Sequence, residues 1–263
     1  MNKIFYKVFT PFTKVNKETY LSILFVWVVI IAIFWQTASS PLIPKPLEVI
    51  NQLITYLSDK NFYFDIFASL QLTFTAMSVS IIIACISAWL STTPAFNFPV
   101  RILMMLRFMS LLGFLFIFMS LFNGESGKVK NALLIFSIVP YFTLSLVSVI
   151  SKISPKEYDL WTTLKYNRWE QLYQIVIRGK ADSILDAIFS NFSMAWVMMT
   201  VAETKSMADG GLGVELFKAD KYNHIDQVLA LQVIIYALGF IIMTLVKELR
   251  YKIFPHTALA EKQ

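Results

Sequence analysis

Six long apolar segments recur along this chain of 263 residues and constrain its fold more than any other feature. A membrane-spanning helix needs about 20 predominantly apolar residues to cross a hydrocarbon core of about 30 Å. The segments approach or exceed that length, and the chain is 57% hydrophobic but only 15% charged. We therefore predict an all-α integral membrane protein of about six transmembrane helices. The predicted spans are 20–35, 66–90, 100–122, 129–150, 184–201 and 228–246.

The distribution of basic residues predicts the orientation of these spans. With an even number of spans, both termini lie on one side of the membrane, together with the loop 91–100 and the segment 151–182. That side carries most of the Lys and Arg residues of the chain, and an excess of basic residues marks cytoplasmic loops. We expect both termini in the cytoplasm, and the net charge of +6 then reflects topology rather than nucleic-acid binding.

The spans divide the chain into a simple sequence of regions. We predict a cytoplasmic tail at 1–19, a first transmembrane helix at 20–36 and an outer loop at 37–65. A core of five further spans follows at 66–247, and a cytoplasmic tail at 248–263 ends the chain. In the outer loop, apolar residues recur at helical spacing from Leu47 to Leu57, which predicts an amphipathic helix. We interpret that helix as a packing element.

Few residues suit metal, disulfide or nucleotide chemistry. Cys85 is the single cysteine and lies inside an apolar segment, and His224 and His256 are the only histidines. We predict no disulfide and no metal site. The stretch GESGK at 124–128 has two residues between its glycines, whereas a phosphate-binding loop has four. The chain should therefore bind no ATP.

One polar, aromatic-rich stretch, SPKEYDLWTTLKYNRWEQLYQIVIRGK at 154–180, separates two apolar segments. Ser154, Pro155 and Glu157 stand in the order cap, first helical residue and capping-box acid, which predicts a helix start. A break at 165–167 and renewed apolar periodicity predict a second short helix. Neither helix could span the membrane, so another surface should bind their exposed aromatic faces. Periodicity alone does not distinguish between two binding surfaces, a soluble partner and the membrane surface.

The sequence from Asp159 to Ile177 resembles the cytoplasmic coupling loop of ABC importer permeases. That loop carries an acidic residue and two alanines, then a glycine, then an Arg-Trp pair. Asp159 stands at the acidic position, whereas Leu160 and Trp161 replace the alanines and Lys165 replaces the glycine. The residues that the resemblance assigns to ATPase coupling are Asp159, Leu160, Trp161, Leu164, Lys165, Tyr166, Arg168 and Trp169. Of these, Leu164, Tyr166 and Trp169 are expected to form an exposed knob, hereafter the coupling knob.

Two further stretches resemble permeases of the nitrate, sulfonate and taurine type. PLIPKPLEVI follows the first span as a Pro-Ser-Pro-x-Glu-Val segment does in those proteins. The stretch from Ala202 to Pro255 is similar to their ending, with Glu203 and then the Gly211-Leu212-Gly213 turn. The resemblance covers about 41–255 and implies that Glu203, Gly211 and Gly213 belong to an outer gate loop.

The resemblance implies a fold, a function and partners. It implies a type I ABC importer permease-like fold and a non-catalytic permease subunit in the bacterial cytoplasmic (inner) membrane. The chain itself is expected to bind no cofactor, because cytoplasmic ATPase subunits use the ATP and magnesium. An external substrate-binding protein would deliver a nitrate-, sulfonate- or taurine-like solute, and two copies of the permease would form the pathway.

The fifth predicted span is unusually polar, which favours a place beside a solute pathway, although small and hydroxyl residues also serve helix packing. The possible pathway-lining residues are Ser190, Asn191, Ser193, Met194, Trp196, Met198 and Thr200. At the inner end of that span, Asp182 and Asp186 favour ion pairs with the nearby Arg178 and Lys180. Two alternative functions remain: a non-transporting scaffold derived from a permease, and a secondary transporter that uses Asp182 and Asp186.

Overall fold

The computed structural model describes residue 10 and residues 16–37, 44–205, 207 and 210–253, with the backbone alone at 155, 160, 161 and 253. Most of the two predicted tails, the start of PLIPKPLEVI and Pro255 lie outside the described residues. Every regular element within them is helical, which confirms the predicted all-α class. The helices are α1 (Lys17–Thr37), α2 (Pro46–Ser58), α3 (Lys60–Leu90), α4 (Pro94–Met105), α5 (Leu111–Leu121), α6 (Ser126–Ser151), α7 (Pro155–Thr163), α8 (Arg168–Gln171), α9 (Ala181–Ser190), α10 (Phe192–Lys205), α11 (Leu212–Lys221) and α12 (Ile225–Ile253).

Five of the described helical segments are long and apolar enough to cross a membrane. They are α1, α3, α6, α12 and the continuous stretch formed by α9 and α10. A helix satisfies all its interior backbone hydrogen bonds within itself, which an apolar environment requires. The remaining predicted span, 100–122, is different in form.

The third predicted span is not one straight helix. It is divided into α4, with the 3-10 turn Leu106–Phe108, and α5, and the two parts are bent by 110°. The break falls at Met109, whose backbone is extended with φ −84° and ψ 142°. Ser110, a residue type favoured at helix starts, precedes α5, and nothing else in the local sequence explains the break.

The bent pair returns the chain along α6. Helices α3 and α6 run parallel, because Thr75 in the middle of α3 bonds to Asn131 near the start of α6, and Ser91 and Ser151 share a cavity wall at the ends of the two helices. The connection between two parallel neighbours must travel back the full length of the pair. Accordingly, Val100 of α4 lies at that same cavity, and α5 contacts the middle of α6.

The core of the bundle surrounds α6. Its buried face includes Leu134, Ile138 and Phe142, each at most 1% exposed. Small residues of α3, including Ala76 and Ala84, are fully buried against this core. Small side chains let two helix backbones approach closely, which is how helices pack in membranes.

The first two helices lie at the edge of this bundle. None of the described residues of α1 is buried, and its Trp35 Nε1 donates to Pro44 O at 3.0 Å. Helix α2 is the predicted amphipathic helix, and its Gln52 Nε2 donates to Asp226 Oδ2 of α12 at 2.9 Å. Its buried Val49 adds an apolar contact. Helix α2 therefore packs on the start of the last span.

Candidate functional site

The segment 154–180 forms two short helices joined by a tight turn. Helix α7 begins at Pro155, and Glu157 N donates to Ser154 O at 3.0 Å. The helix ends at Thr163 and the next begins at Arg168, so the predicted start and break are both present. The second helix continues from Leu172 to Arg178 as a π-helix, which the sequence analysis did not predict.

Lys165 forms the turn between the two helices in a left-handed conformation. Its φ is +60°, a region that side chains other than glycine rarely adopt. Lys165 stands where the resemblance places glycine, and glycine adopts positive φ without steric strain. The conformation thus explains why a glycine suits this position, and Lys165 retains the same turn at an energetic cost.

Three residues that the sequence analysis missed hold this turn in place. Asn167 Oδ1 accepts from Arg168 N at 2.7 Å, and Glu170 Oε2 accepts from Asn167 N at 2.7 Å. Gln171, only 6% exposed, donates from Nε2 to Tyr166 O at 3.0 Å and to Thr162 Oγ1 at 3.3 Å. The Asn-x-x-Glu capping pattern could have revealed the first pair. Gln171 carries no comparable signal.

The outer surface of this segment is aromatic and basic. The coupling knob is exposed, with exposed fractions of 56% for Leu164, 39% for Tyr166 and 63% for Trp169. Lys165 and Arg168 are exposed between them. A cluster of uncovered apolar side chains flanked by cations is typical of a docking surface.

The inner surface of the segment is packed against the bundle. Ile153, Ile175 and Val176 form a second buried cluster, against which Trp89 and Leu172 pack. This cluster joins the segment to the end of α3. The coupling knob therefore projects from a segment that is itself packed against the bundle.

An ion pair and a cavity also belong to the segment 154–180, hereafter the coupling segment. Lys180 Nζ lies 3.3 Å from Glu157 Oε1, which ties the end of the segment to its beginning. Burial, followed by the nearby Glu157 charge, raises the pKa of the Tyr158 hydroxyl. A cavity of about 420 Å³ separates Tyr158 and Trp169 from the turn before α4. Asp159 is exposed, while the side chains of residues 160 and 161 lie outside the described ones.

A buried polar cluster lies at the opposite end of the bundle. Glu203 of α10 is 1% exposed. Its Oε1 accepts from Ser69 Oγ at 2.7 Å and its Oε2 accepts from Gly213 N at 2.7 Å. Ser69 Oγ also accepts from Leu212 N at 2.8 Å. These bonds fasten the glycine turn before α11 to α3 and α10.

The glycines of that turn are required by close packing. A Cβ at Gly211 would collide with the Glu203 carboxylate, and one at Gly213 would collide with the backbone of Thr200. Gly211 also has φ +123°, which favours glycine. The structure therefore brings together Glu203, Gly211 and Gly213, the three residues predicted for the outer gate loop.

Two charged residues that the sequence analysis did not assign to the gate join this cluster. Asp65 Oδ1 accepts from Gly211 N at 2.9 Å. Lys130, 5% exposed, donates from Nζ to Gly210 O at 3.4 Å. Both lie far from Glu203 in the sequence, so only the folded chain reveals them.

The residues predicted to line a pathway take different positions on α9 and α10. Asn191, at the turn between these helices, donates to Ser145 Oγ of α6 at 2.8 Å. Trp196 is 5% exposed and donates to Ile235 O at 3.0 Å, against Gly239. These two residues pack the span against its neighbours. The exposed members of the set are Ser190 and Ser193, and the half-buried ones are Met194, Met198 and Thr200.

Asp186 pairs with a different partner from the predicted ones. It forms a two-point ion pair with Arg250 of α12, with Arg250 Nη2 at 2.7 Å from Asp186 Oδ2. Lys180, one of the predicted partners, pairs with Glu157 instead. The pair joins α9 to the end of α12. Within the part of the chain that the structure describes, no group of three His, Cys, Asp or Glu side chains could hold a metal ion.

The whole arrangement resembles a solved transporter structure. The chain is similar to one chain of the crystal structure of an amino acid ABC transporter with histidines, with a TM-score of 0.56 and 14% sequence identity. The alignment covers 80% of this chain and 96% of that chain. No protein-family model matches the sequence, and no curated protein matches it significantly. At this identity the likeness concerns the fold, and the chain therefore has an ABC permease-like fold.

Proposed function

We propose that this chain is the membrane-spanning permease subunit of an ATP-driven importer in the bacterial inner membrane. The ABC permease-like fold supports this proposal. The observation that carries it is the coupling knob, whose apolar and aromatic side chains project uncovered from a segment that is itself packed on the bundle. A cytoplasmic ATPase subunit would cover this knob.

The internal contacts of the segment suit it to transmit movement. Gln171 ties the turn to both helices, Lys180 ties its end to Glu157, and Ile175 packs beneath it. Packed elements shift between discrete arrangements rather than deform continuously. Closure of two ATPase subunits would therefore move the segment as one piece and rock the adjoining spans.

The remaining partners follow from the same proposal. Two copies of this chain would enclose the pathway, because closed twofold symmetry is the commonest way for identical subunits to assemble. A substrate-binding protein would deliver solute to the outer face near the Glu203 cluster. We propose a small anion or zwitterion as solute, a class that includes both nitrate-, sulfonate- or taurine-like solutes and amino acids.

The position of Asp186 favours the importer over a carboxylate-driven transporter. A proton-coupling carboxylate must gain and lose a proton during each cycle. Asp186 is held by Arg250 at two points, so both of its carboxylate oxygens face the guanidinium. Its position therefore supports a structural role.

Co-purification from the native membrane tests the proposal. The tagged chain, its Leu164→Asp variant and its Trp169→Asp variant are extracted in mild detergent and their partners identified by mass spectrometry. Tyr222→Asp, at an exposed aromatic between α11 and α12, is the matched control. We expect an ATPase subunit with the parent chain and the control but not with the two knob variants. The absence of any ATPase under conditions that preserve other membrane complexes would contradict the proposal.

A further inference from the structure

Polar side chains interrupt the exposed face of α3 near its middle. Gln71, Thr75 and Ser78 are exposed at positions i, i+4 and i+7. The exposed residues on either side of them along the helix are large and apolar, including Phe67 and Ile82. At 1.5 Å per residue, Gln71 and Thr75 lie about 16 and 22 Å from the start of the helix at Lys60. They therefore occupy the depth of the hydrocarbon core.

These residues border a groove between α3 and α6. The groove has a volume of about 550 Å³, and Gln71, Thr75 and Asn131 supply much of its polar lining. Thr75 Oγ1 donates to Asn131 Oδ1 at 3.2 Å, so the two helices present their polar groups to the same space. Lys130 also lines the groove while its Nζ donates to Gly210 O of the Glu203 cluster, and no carboxylate is found among the described residues that line the groove.

Exposed amide and hydroxyl groups in an otherwise largely apolar groove are unfavourable against lipid tails. An amide transferred to an apolar medium without hydrogen-bond partners loses several kcal/mol, about 4–8 on the cyclohexane scale. Within the described residues, no hydrogen bond joins the Gln71 amide to another side chain. Polar residues within membrane spans accordingly tend to face a protein interior or a water-filled cavity.

We propose that the groove formed by Gln71, Thr75 and Asn131 is a water-filled part of the solute route and binds the solute. It takes a small hydrogen-bonding solute that is neutral or anionic, because amide and hydroxyl groups can donate to it and, among the described residues that line the groove, the one charged side chain is Lys130. This inference deepens the proposed function and adds α3 and α6 to the polar lining predicted for the fifth span.

Thiol labelling in the native membrane tests this proposal. Gln71→Cys, Thr75→Cys and Asn131→Cys are made in a Cys85→Ala background, because Cys85 is the only natural cysteine. Membrane-impermeant thiosulfonate reagents are added to the outer face of the intact complex. The control is Phe74→Cys, which is exposed at nearly the same depth but about 100° around the helix from Thr75. The thiolate is the reactive form, and apolar surroundings raise the pKa of a thiol.

We expect Gln71→Cys and Asn131→Cys to react about tenfold faster than Phe74→Cys, as a pKa lower by about one unit would give. An anionic reagent should also outpace a cationic one, relative to their rates with a free thiol. Equal, slow reaction at all four positions would overturn the groove as an aqueous site, and a preference for the cationic reagent would overturn its solute class. A variant absent from the membrane is replaced by Val79→Cys, which lines the same groove.

These results are independent of the proposed motor. Labelling measures access of water to the groove and requires no ATPase, whereas co-purification measures the partner and requires no groove. If an ATPase co-purifies with the chain but the cysteines in the groove do not react, this inference is wrong and the proposed function is unaffected.

Discussion

Lys165 shows how one residue can retain a turn that another residue type would form more easily. The turn between α7 and α8 needs a positive φ at this position, and Lys165 adopts +60°. The left-handed conformation costs a residue with a Cβ about 1–2 kcal/mol. The exposed ammonium also places a positive charge beside the coupling knob, so a partner groove with a carboxylate at this point would fit it best.

We predict that Lys165→Gly stabilises the turn. Relief of the strain outweighs the added flexibility of the unfolded chain, and a net gain of about 1 kcal/mol would slow cleavage of the segment by chymotrypsin about fivefold. Lys165→Ala is the control, because it removes the charge and keeps the Cβ. Cleavage of the glycine variant as fast as the alanine variant would contradict the strain assigned to Lys165.

The Asp186–Arg250 pair should stabilise the contact between α9 and the end of α12. Arg250→Met leaves a half-buried carboxylate without its two-point partner, and we expect a loss of about 1.5–3 kcal/mol, the range for hydrogen bonds to charged groups. Asp186→Leu combined with Arg250→Met should lose less than the sum of the two single variants. Thermal unfolding in mild detergent measures all three. Additive losses would mean that the pair does not act as a unit.

At the scale of elements, the coupling segment shows what a sequence pattern can and cannot predict. The start of α7 follows from Ser154 and Pro155, whose preferences act within one helical turn. The π-helix from Leu172 to Arg178 has no such local cause. Its hydrogen-bond register accompanies the burial of Ile175 and Val176 against Trp89, a residue of a different helix. The sequence therefore predicts the two helices and the break between them, but not the π-helical continuation of the second helix.

Gly179, at the end of the π-helix, should be sensitive to substitution. A Cβ at this position would lie 2.7 Å from Ile175 O and 3.0 Å from Gln174 O, both backbone atoms that cannot rotate away. We expect Gly179→Ala to destabilise the chain by about 1–3 kcal/mol, as overpacking does. Gly113→Ala in α5 is the control, because its Cβ would meet nothing within 4 Å. Equal thermal stability of the two variants would contradict the close packing at Gly179.

At the scale of the whole molecule, the parallel arrangement of α3 and α6 determines the topology. Two parallel spans require a crossing between them, and the bent pair α4–α5 is the segment available for it. Apolar composition predicted a span at 100–122, but the bend at Met109 could not be predicted, because no proline or glycine marks it. The buried polar cluster around Glu203 could likewise be predicted only in part. The glycines near 211 indicated a turn, whereas Asp65 and Lys130 reach it only through the packing of three helices.

The bent pair should therefore place its two ends on opposite sides of the membrane. We expect Asp59→Cys and Glu125→Cys, each in the Cys85→Ala background, to react with an impermeant thiol reagent added outside intact cells. Thr93→Cys should react only after the membrane is permeabilised. Thr93→Cys and Glu125→Cys reacting from the same side would show that α4 and α5 form a re-entrant hairpin.

Site-specific photo-crosslinking from the coupling knob tests the central claim most directly. A photoreactive amino acid replaces Trp169 in the native membrane, and the control carries it at Trp27, an exposed residue of α1. We predict a covalent adduct with a nucleotide-binding ATPase subunit from position 169 and none from position 27. Adducts from position 169 with lipid alone, in membranes where the chain is folded and abundant, would contradict the assignment of this segment as an ATPase-coupling surface.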